Sequence, residues 1–349
     1  MRPQYVGRYP YHGRVSDKTT VALALGSGGA RGFAHIGVIQ VLEERGFEIV
    51  NVAGSSMGAV VGGIYASEKL AEYTEWAVGL TQFDVVRLLD VSVSAPGAIR
   101  AERVLAIVHN LLDGARIEDL PIPFTAVATD LFARKEVWFQ KGLVETAIRA
   151  SIAIPGVITP VMLNGRLLAD GGIMDPVPIA PTAASRADLT IAVSLSGEYR
   201  DLHESDPVLD AAEVQPVEEW TDRFRRTAAG LLDGDLVRSL ASRFGGDADA
   251  TVEPGVDAAM ALDEAFEKLP DGLSKFDMMN LSLESMQSLL TRYRLAGYPP
   301  DVLVSVPKDA CRTLDFHRGA DMVALGRRLT TEALDKAGYV EEPATDANP

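Results

Sequence analysis

Two glycine-bordered turns near the start of the chain hold the residues best suited to chemistry: Gly26-Ser27-Gly28-Gly29-Ala30-Arg31-Gly32 and Gly54-Ser55-Ser56-Met57-Gly58. Each turn follows a short apolar run that is typical of a buried strand, and each opens onto a helical pattern. The second turn centres Ser56 in a G-x-S-x-G sequence, which exposes a hydroxyl nucleophile between a strand and a helix. Gly54 and Gly58 supply the space that the close approach of helix and strand requires. Such a nucleophile predicts acyl transfer.

The first turn has the composition of an anion-binding loop. Successive backbone N–H groups of Gly28, Gly29 and Ala30 can converge on one developing negative charge, as in an oxyanion hole. The N–H of Met57, which opens the second helix, is expected to point at the same oxygen. Arg31 either orients the loop or meets a phosphate headgroup, and the sequence leaves both roles open.

A dinucleotide-binding loop is the competing interpretation of the first turn. That fingerprint requires G-x-G-x-x-G and, about twenty residues later, an acidic residue that ends the second strand. Here the second strand runs into Gly54-Ser55-Ser56, and a pattern begun at Gly26 and Gly28 meets Arg31 where glycine is required. The turn therefore fits an oxyanion loop better than a nucleotide site.

The base that would activate Ser56 has two candidates. Asp170 heads the turn Asp170-Gly171-Gly172 after a predicted hairpin, although an ordinary turn is the commonest use of such a sequence. His317 follows the last predicted strand, where the Ser, Asp, His order of α/β-hydrolases would place it. The other histidines have no evident position at the end of the sheet: His12, His35, His109 and His203.

The elements that must position these residues alternate between strand and helix, which predicts an α/β sheet with helices on its faces. A turn signal at Asn164-Gly165 predicts a hairpin, and residues 136–140 resemble a hairpin partner, so we expect a mainly parallel but mixed sheet. The predicted strands are 20–25, 49–53, 122–129, 136–140, 161–163, 166–169, 189–195 and 302–306, and the predicted helices are 30–45, 57–67, 100–112 and 143–152.

The bulk composition excludes several classes of function. The chain has 349 residues, of which 47% are hydrophobic and 23% charged, as in a globular protein with a large core. A formal charge of −16 argues against a nucleic-acid partner, because phosphate binding needs a basic surface. Cys311 is the single cysteine, so no intramolecular disulfide can form. Residues 1–20 lack an apolar signal region and no run reaches about 18 apolar residues, so we expect a cytoplasmic protein without a membrane span.

One segment differs from the rest in charge. Residues 200–272 contain 18 Asp or Glu against 7 Lys or Arg, which accounts for most of the net negative charge. Apolar residues recur within it at helical spacing. We therefore interpret 198–275 as an acidic helical insertion, either packed on the sheet edge or acting as a lid over the site.

Together these motifs resemble the patatin-like phospholipase family. The glycine-rich loop, the Ser56 turn and Asp170-Gly171-Gly172 occur in the family's order. Two further stretches, Ala150-Ser151-Ile152-Ala153-Ile154-Pro155-Gly156 and Asp315-Phe316-His317-Arg318, are most similar to the bacterial branch related to the catalytic domain of neuropathy target esterase. The resemblance covers about residues 21–326 and weakens across 198–275. Ser27 departs from it, because the family's strict motif begins there with glycine.

The resemblance implies a three-layer α/β/α patatin-like fold and a Ser–Asp dyad, with Ser56 as the nucleophile and Asp170 as the base. It aligns residues 28–31 with the family's oxyanion loop, gives His317 a structural role and requires no metal or other cofactor. An Asp side chain has an ordinary pKa near 3.9, so Asp170 must be buried to act as a base.

The expected organisation is an N-terminal arm over 1–19, a catalytic domain over 20–330, and a helix end with a flexible tail over 331–349. The expected function is hydrolysis of fatty-acyl esters, phospholipid or lysophospholipid, by an enzyme that contacts membranes peripherally. Two alternatives stay open: a Ser–His–Asp α/β-hydrolase that uses His317, and a catalytically silent protein that binds partners through the acidic insertion. No feature predicts an oligomeric state. An acyl channel is expected to be lined by Met57, Ile152, Ile154, Val157 and Met162.

Overall fold

A mixed sheet of eight strands forms the centre of the described chain. The computed structural model describes residues 18–88, 102–197 and 275–340. The apolar runs of the sequence become its central strands, because a strand covered on both faces must be apolar on both. The strands are β1 (Thr20–Leu25), β2 (Glu48–Ser55), β3 (Phe124–Asp130), β4 (Lys135–Phe139), β5 (Val161–Leu163), β6 (Arg166–Asp170), β7 (Leu189–Gly197) and β8 (Val302–Pro307).

Parallel pairing dominates the middle of the sheet. The strand order is β5-β6-β3-β2-β1-β7-β8, and all pairs from β3 to β8 along this order are parallel. β4 and β6 pair antiparallel with β3, and β5 pairs antiparallel with β6. The prediction of a mainly parallel but mixed sheet is confirmed.

Strand β3 brings together the ends of two strands that are distant in sequence. Its residues Ala126 and Val127 pair with both β2 and β4, so those two strands lie on opposite edges of β3. Its second half pairs with both β4 and β6, so β6 shares the edge occupied by β2. Ser55 of β2 pairs with Val127, and Asp170 of β6 pairs with the next residue, Ala128. The carboxyl ends of β2 and β6 therefore meet end to end along one edge of β3.

Helices cover both faces of the sheet. Alternate residues of β1, among them Leu23 and Leu25, point into the main apolar core, because successive side chains of a strand face opposite sides. On the other face Ala24 packs with Val177 and Leu295. This is the predicted three-layer α/β/α arrangement. The helices are α1 (Ala34–Glu44), α2 (Met57–Ala66), α3 (Leu70–Val78), α4 (Gln82–Leu88), α5 (Glu102–Leu112), α6 (Val144–Ser151), α7 (Lys275–Gly297) and α8 (Gly319–Lys336).

The chain divides into two units, one of residues 1–205 with 283–349 and one of residues 206–282. The sheet belongs to the first unit, and the second is described only over 275–282, where α7 begins. Among the helices of the described ranges, none is long and apolar enough to span a bilayer.

Most predicted elements occur with small shifts at their ends. β1 and β5 have the predicted bounds, whereas the helix predicted over 30–45 begins with a 3-10 turn, Gly29–Phe33, before α1. In that turn the Ala30 N–H donates to the Thr313 carbonyl outside the helix. The predicted insertion over 198–275 lies almost wholly outside the described residues, as do 1–17 and 341–349. The predicted boundaries of arm, catalytic domain and tail therefore stay predictions.

Candidate active site

Ser56 occupies a strained turn between β2 and α2. Its backbone has φ 54° and ψ −119°, a conformation that non-glycine residues rarely adopt and that is retained only where the surroundings hold it. A Cβ at Gly58 would clash with the Leu25 carbonyl, and one at Gly54 would clash with the Gly58 carbonyl. The two flanking glycines thus let α2 approach β1 and β2 closely, which is the local geometry of a nucleophile turn.

A chain of two hydrogen bonds fixes the backbone of this turn. The Ser56 N–H donates to the Ser151 Oγ at 2.8 Å, and the Ser151 hydroxyl in turn donates to the Val127 carbonyl at 2.5 Å. Ser56 is almost fully buried and Ser151 completely so. Ser151 thereby ties the end of α6 to both β2 and β3.

Asp170 ends β6 and starts a 3-10 turn, Gly171–Ile173. Its Oδ1 accepts the Gly172 N–H at 2.8 Å, its carbonyl accepts the Thr129 hydroxyl at 2.9 Å, and its N–H donates to the Ala153 carbonyl at 2.9 Å. A Cβ at Gly171 would clash with the Val127 carbonyl, so the turn needs glycine to lie against β3. These contacts fix the backbone on both sides of the carboxylate.

Burial gives Asp170 the character of a base. Removal from water raises the pKa of Asp170 to about 6, against a smaller lowering by the Ser56 hydroxyl and the Gly172 N–H. The Ser56 hydroxyl therefore lies close to the carboxyl group, although the resting pair falls short of full hydrogen-bond geometry. Within the described chain, Asp170 Oδ2 is buried without a hydrogen-bond partner. That oxygen is left able to accept a proton.

We call the 3-10 turn that Asp170 starts the base turn. Charged groups anchor its far end. The Asp175 N–H donates to the Gly171 carbonyl at 2.9 Å, and the Asp175 Oδ1 lies 3.7 Å from the Arg294 Nε. Arg294 also donates to the Glu136 Oε2 at 3.0 Å. Burial and the neighbouring Glu136 carboxyl raise the pKa of Asp175, and the Arg294 guanidinium opposes that rise. The turn is thus linked to β4 and to α7.

The first glycine turn lies beside Ser56 with two unused donors. Gly26 and Ser27 donate their N–H groups to the carbonyls of Val193 and Pro176, at 3.0 and 2.8 Å. The Ala30 N–H donates to the Thr313 carbonyl at 2.9 Å and is thus engaged elsewhere. Among the described residues, the N–H groups of Gly28 and Gly29 have no hydrogen-bond partner. These two donors and the Met57 N–H at the start of α2 remain available.

Arg31 and His35 hold this loop in place. The Arg31 Nη1 donates to the carbonyls of Lys308 and Cys311 at 2.9 and 3.2 Å, and the side chain is buried. Of the two roles left open for Arg31, this geometry favours orientation of the loop. The His35 Nε2 lies 2.8 Å from the Gly26 carbonyl, and burial lowers the pKa of His35 to about 4. His35 is therefore neutral and donates its Nε2–H to that carbonyl.

His317 lies against α4. Its Nε2 lies 3.4 Å from the Gln82 Nε2 on α4, and within the described chain it forms no hydrogen bond to Ser56 or Asp170. The structure therefore brings together Ser56 and Asp170 but not His317. No group of three or more His, Cys, Asp or Glu side chains suited to a metal ion occurs in the described ranges.

An apolar pocket opens at Ser56. Four of the five residues expected to line an acyl channel do line it, whereas Met162 lies outside it and is 62% exposed. The prediction for Met162 is wrong because residue 162 sits mid-way along β5, the end strand of the sheet. The lining residues are Gly29, Phe33, Ser56, Met57, Val60, Tyr73, Trp76, Leu80, Val85, Ile152, Ile154, Val157, Ile158, Thr313, Leu314 and Phe316.

Sequence reasoning missed several residues that shape the site. It assigned no chemical role to Ser151, although the stretch that contains Ser151 was noted as a family match. It also missed the aromatic wall of the pocket, supplied by Tyr73 and Trp76 of α3 and by Phe316. Helical spacing of apolar residues over 70–78 was the signal that could have located this wall.

Comparison with known proteins agrees with the fold. Residues 23–183 match the family model of the patatin-like phospholipases. The chain is 49% identical over 344 residues to an uncharacterised NTE family protein of Mycobacterium tuberculosis, with 92% of this chain and 93% of that protein covered. It is 32% identical over 192 residues to human patatin-like phospholipase domain-containing protein 6, and 34% identical over 186 residues to lysophospholipase NTE1 of Cryptococcus neoformans.

The last two matches cover 53% and 52% of this chain but only 14% and 11% of those larger proteins. The similarity to the mycobacterial protein extends over nearly the whole of both chains. The chain belongs to the NTE family of patatin-like phospholipases. It is a carboxylic ester hydrolase of the phospholipase type.

Proposed function

We propose that this enzyme removes a fatty-acyl group from a phospholipid or lysophospholipid through a dyad of Ser56 and Asp170. The observation that carries the proposal is the end-to-end meeting of β2 and β6 on β3. It brings a strained serine next to a buried carboxyl with an unpartnered oxygen. The apolar pocket that opens at Ser56 supports an acyl chain as the group bound there.

Acylation begins with transfer of the Ser56 hydroxyl proton to Asp170 Oδ2. The Ser56 Oγ forms a bond to the ester carbonyl carbon, and the carbonyl oxygen becomes an oxyanion. The N–H groups of Gly28, Gly29 and Met57 stabilise that charge. The carbon to alcohol-oxygen bond then breaks, and the proton held by Asp170 passes to the departing alkoxide.

Deacylation repeats these steps with water. Asp170 takes a proton from water, the resulting hydroxide attacks the acyl carbon, and Asp170 returns the proton to the Ser56 Oγ as the acyl bond breaks. A pKa near 6 suits both halves of the cycle, because Asp170 is mostly ionised at neutral pH yet basic enough to accept a proton.

The substrate class rests on the pocket and on the relatives. The pocket walls are almost entirely aliphatic and aromatic, which favours a hydrocarbon chain over a polar acyl group. One relative, from Cryptococcus neoformans, is named a lysophospholipase. We therefore infer a glycerophospholipid with one or two acyl chains as the substrate.

Transient contact with a lipid surface is part of the proposal. Phe83 of α4 is 74% exposed, and Leu80 and Val85, which flank it in sequence, line the pocket. An exposed aromatic beside the pocket would insert at a bilayer surface without a spanning helix. The Phe83→Ser variant is expected to sediment less with phosphatidylcholine vesicles while keeping its turnover of a water-soluble ester.

Three variants test the dyad with nitrophenyl acetate and nitrophenyl decanoate. Ser56→Ala and Asp170→Asn are expected to lose nearly all turnover with the fold intact by circular dichroism. His317→Ala is the matched control and is expected to keep most activity. Loss of turnover in His317→Ala would instead indicate a Ser–His–Asp enzyme, and activity retained in Asp170→Asn would contradict the dyad. Absence of turnover in well-folded wild type would favour a silent binding protein.

A further inference from the structure

Two residues at the end of α6, Ser151 and Ala153, each bind one member of the proposed dyad. The Ser151 Oγ accepts the Ser56 N–H at 2.8 Å. Two residues later, the Ala153 carbonyl accepts the Asp170 N–H at 2.9 Å. We call Ser151 and Ala153 the α6 bridge. The backbones of Ser56 and Asp170 are therefore held by two positions that lie only two residues apart in the chain.

The serine of the bridge has a single consistent hydrogen-bonding arrangement. A hydroxyl has one proton to donate, and Ser151 gives it to the Val127 carbonyl at 2.5 Å. Its oxygen is then an acceptor, which matches the Ser56 N–H. Because Ser56 precedes the first residue of α2, its N–H has no acceptor within that helix, and Ser151 satisfies it in a fully buried place.

The Val127 carbonyl connects this arrangement to the other half of the dyad. It receives the Ser151 proton and lies in contact with the backbone at Gly171, the residue after Asp170. Ser151 therefore touches the nucleophile turn and the strand on which the base turn rests. Its loss would leave the Ser56 N–H buried and unpaired, and the strained turn would be free to relax.

We propose that Ser151 is a positioning residue that sets the separation of the Ser56 Oγ and the Asp170 Oδ2. The inference rests on the proposed dyad. Ser151 touches neither the substrate nor the transferred proton, and it acts through the backbone of Ser56. A shift of about 1 Å in a reacting group can cost about 100-fold in rate, so a small relaxation of the turn would be visible in kcat.

The test compares Ser151→Ala with Ser67→Ala on nitrophenyl decanoate. Ser67 follows α2 and its hydroxyl donates to the Gly63 carbonyl at 2.7 Å, so Ser67→Ala loses one serine to backbone hydrogen bond whereas Ser151→Ala loses two. Ser151→Ala is expected to lower kcat by about 100-fold with KM changed little, and to slow labelling by a fluorophosphonate in parallel. Ser67→Ala is expected to keep wild-type kcat.

The pH profile gives a readout that packing alone would not move. The Ser56 hydroxyl lowers the pKa of Asp170, so relaxation of the turn removes that effect. The acidic limb of kcat/KM in Ser151→Ala is therefore expected to move to higher pH than in wild type. A lower melting temperature with wild-type kcat and an unmoved limb would overturn the proposal, because it would make Ser151 a packing residue.

Two conservative variants keep the test decisive if Ser151→Ala does not fold. Ser151→Thr retains the hydroxyl and is expected to keep most of the wild-type kcat. Ser151→Cys retains the size but donates weakly, and its kcat is expected to stay well below the wild-type value. Equal, wild-type kcat in both would refute the positioning role. Failure of the dyad itself is distinguishable, because Asp170→Asn or Ser56→Ala would then retain turnover.

Discussion

At the scale of single residues, burial is what distinguishes Asp170 from an ordinary turn aspartate. The sequence predicted that Asp170 must be shielded from water, and the structure buries it with one oxygen unpartnered. The two candidate bases, Asp170 and His317, were indistinguishable by sequence order. They are separated by strand pairing, because β6 and β2 share an edge of β3 while His317 faces α4.

The pH dependence of activity follows from the pKa of Asp170. In the proposed dyad ionised Asp170 is the base, so kcat/KM for nitrophenyl decanoate is expected to fall below pH about 6, approaching tenfold per pH unit. Stopped-flow or plate assays from pH 4.5 to 8.5 would measure this limb. A profile that stays level across pH 5 to 7 would contradict the role of Asp170.

The raised pKa of Asp170 also predicts how the stability of the fold depends on pH. A carboxyl whose pKa is raised by folding stabilises the protein fully below its unfolded pKa and loses that contribution as pH rises through about 6. Asp170→Asn removes the buried charge and keeps an oxygen for the Gly172 N–H. It is expected to raise the free energy of unfolding at pH 8, by up to roughly 3 kcal/mol. Urea unfolding of both proteins at pH 8 and pH 5 would check this, with a larger gain at pH 8 than at pH 5.

At the scale of elements, close packing of α2 against β1 is what allows the nucleophile turn. Gly58→Ala is expected to destabilise the fold by roughly 1–3 kcal/mol, because its Cβ would meet the rigid Leu25 carbonyl. Gly297→Ala is the matched control, since nothing lies within 4 Å of that Cβ. Denaturant unfolding measures both, and equal stability of the two variants would contradict the packing argument.

The sequence predicted the individual strands and helices better than the contacts between them. Apolar runs and glycine turns were enough to locate β1, β2 and α2, because local periodicity reports burial. They were not enough for the α6 bridge, since Ser56 and Ser151 are 95 residues apart and the bond between them depends on pairing of β2 with β3. Arg31 shows the same limit, because its partners Lys308 and Cys311 follow the last strand.

At the scale of the whole molecule, the pocket joins elements from both ends of the described chain. Residues of α2 and α3 form one part of its wall, and residues 313–316 after β8 form another. Helical spacing over 70–78 marks an apolar face but not the residues 313–316 with which it shares the pocket, which explains why Tyr73 and Phe316 were missed while Ile152 and Val157 were anticipated.

Filling this pocket is expected to change the preference for acyl chain length. Val60→Trp places a bulky ring among the lining residues and would shorten the space for an acyl chain. The ratio of kcat/KM for nitrophenyl decanoate over nitrophenyl acetate is expected to fall at least tenfold, with little change for the acetate. An unchanged ratio would place the acyl chain elsewhere. Met162→Trp is the control, because Met162 is exposed outside the pocket.

The central claim is that Ser56, activated by Asp170, carries the acyl group. The most direct measurement is labelling of the folded protein with a fluorophosphonate, followed by mass spectrometry of its peptides. One adduct is expected, on Ser56, which forms in wild type and in His317→Ala but is nearly absent in Asp170→Asn. An adduct on another serine, or equally fast labelling in Asp170→Asn, would contradict it.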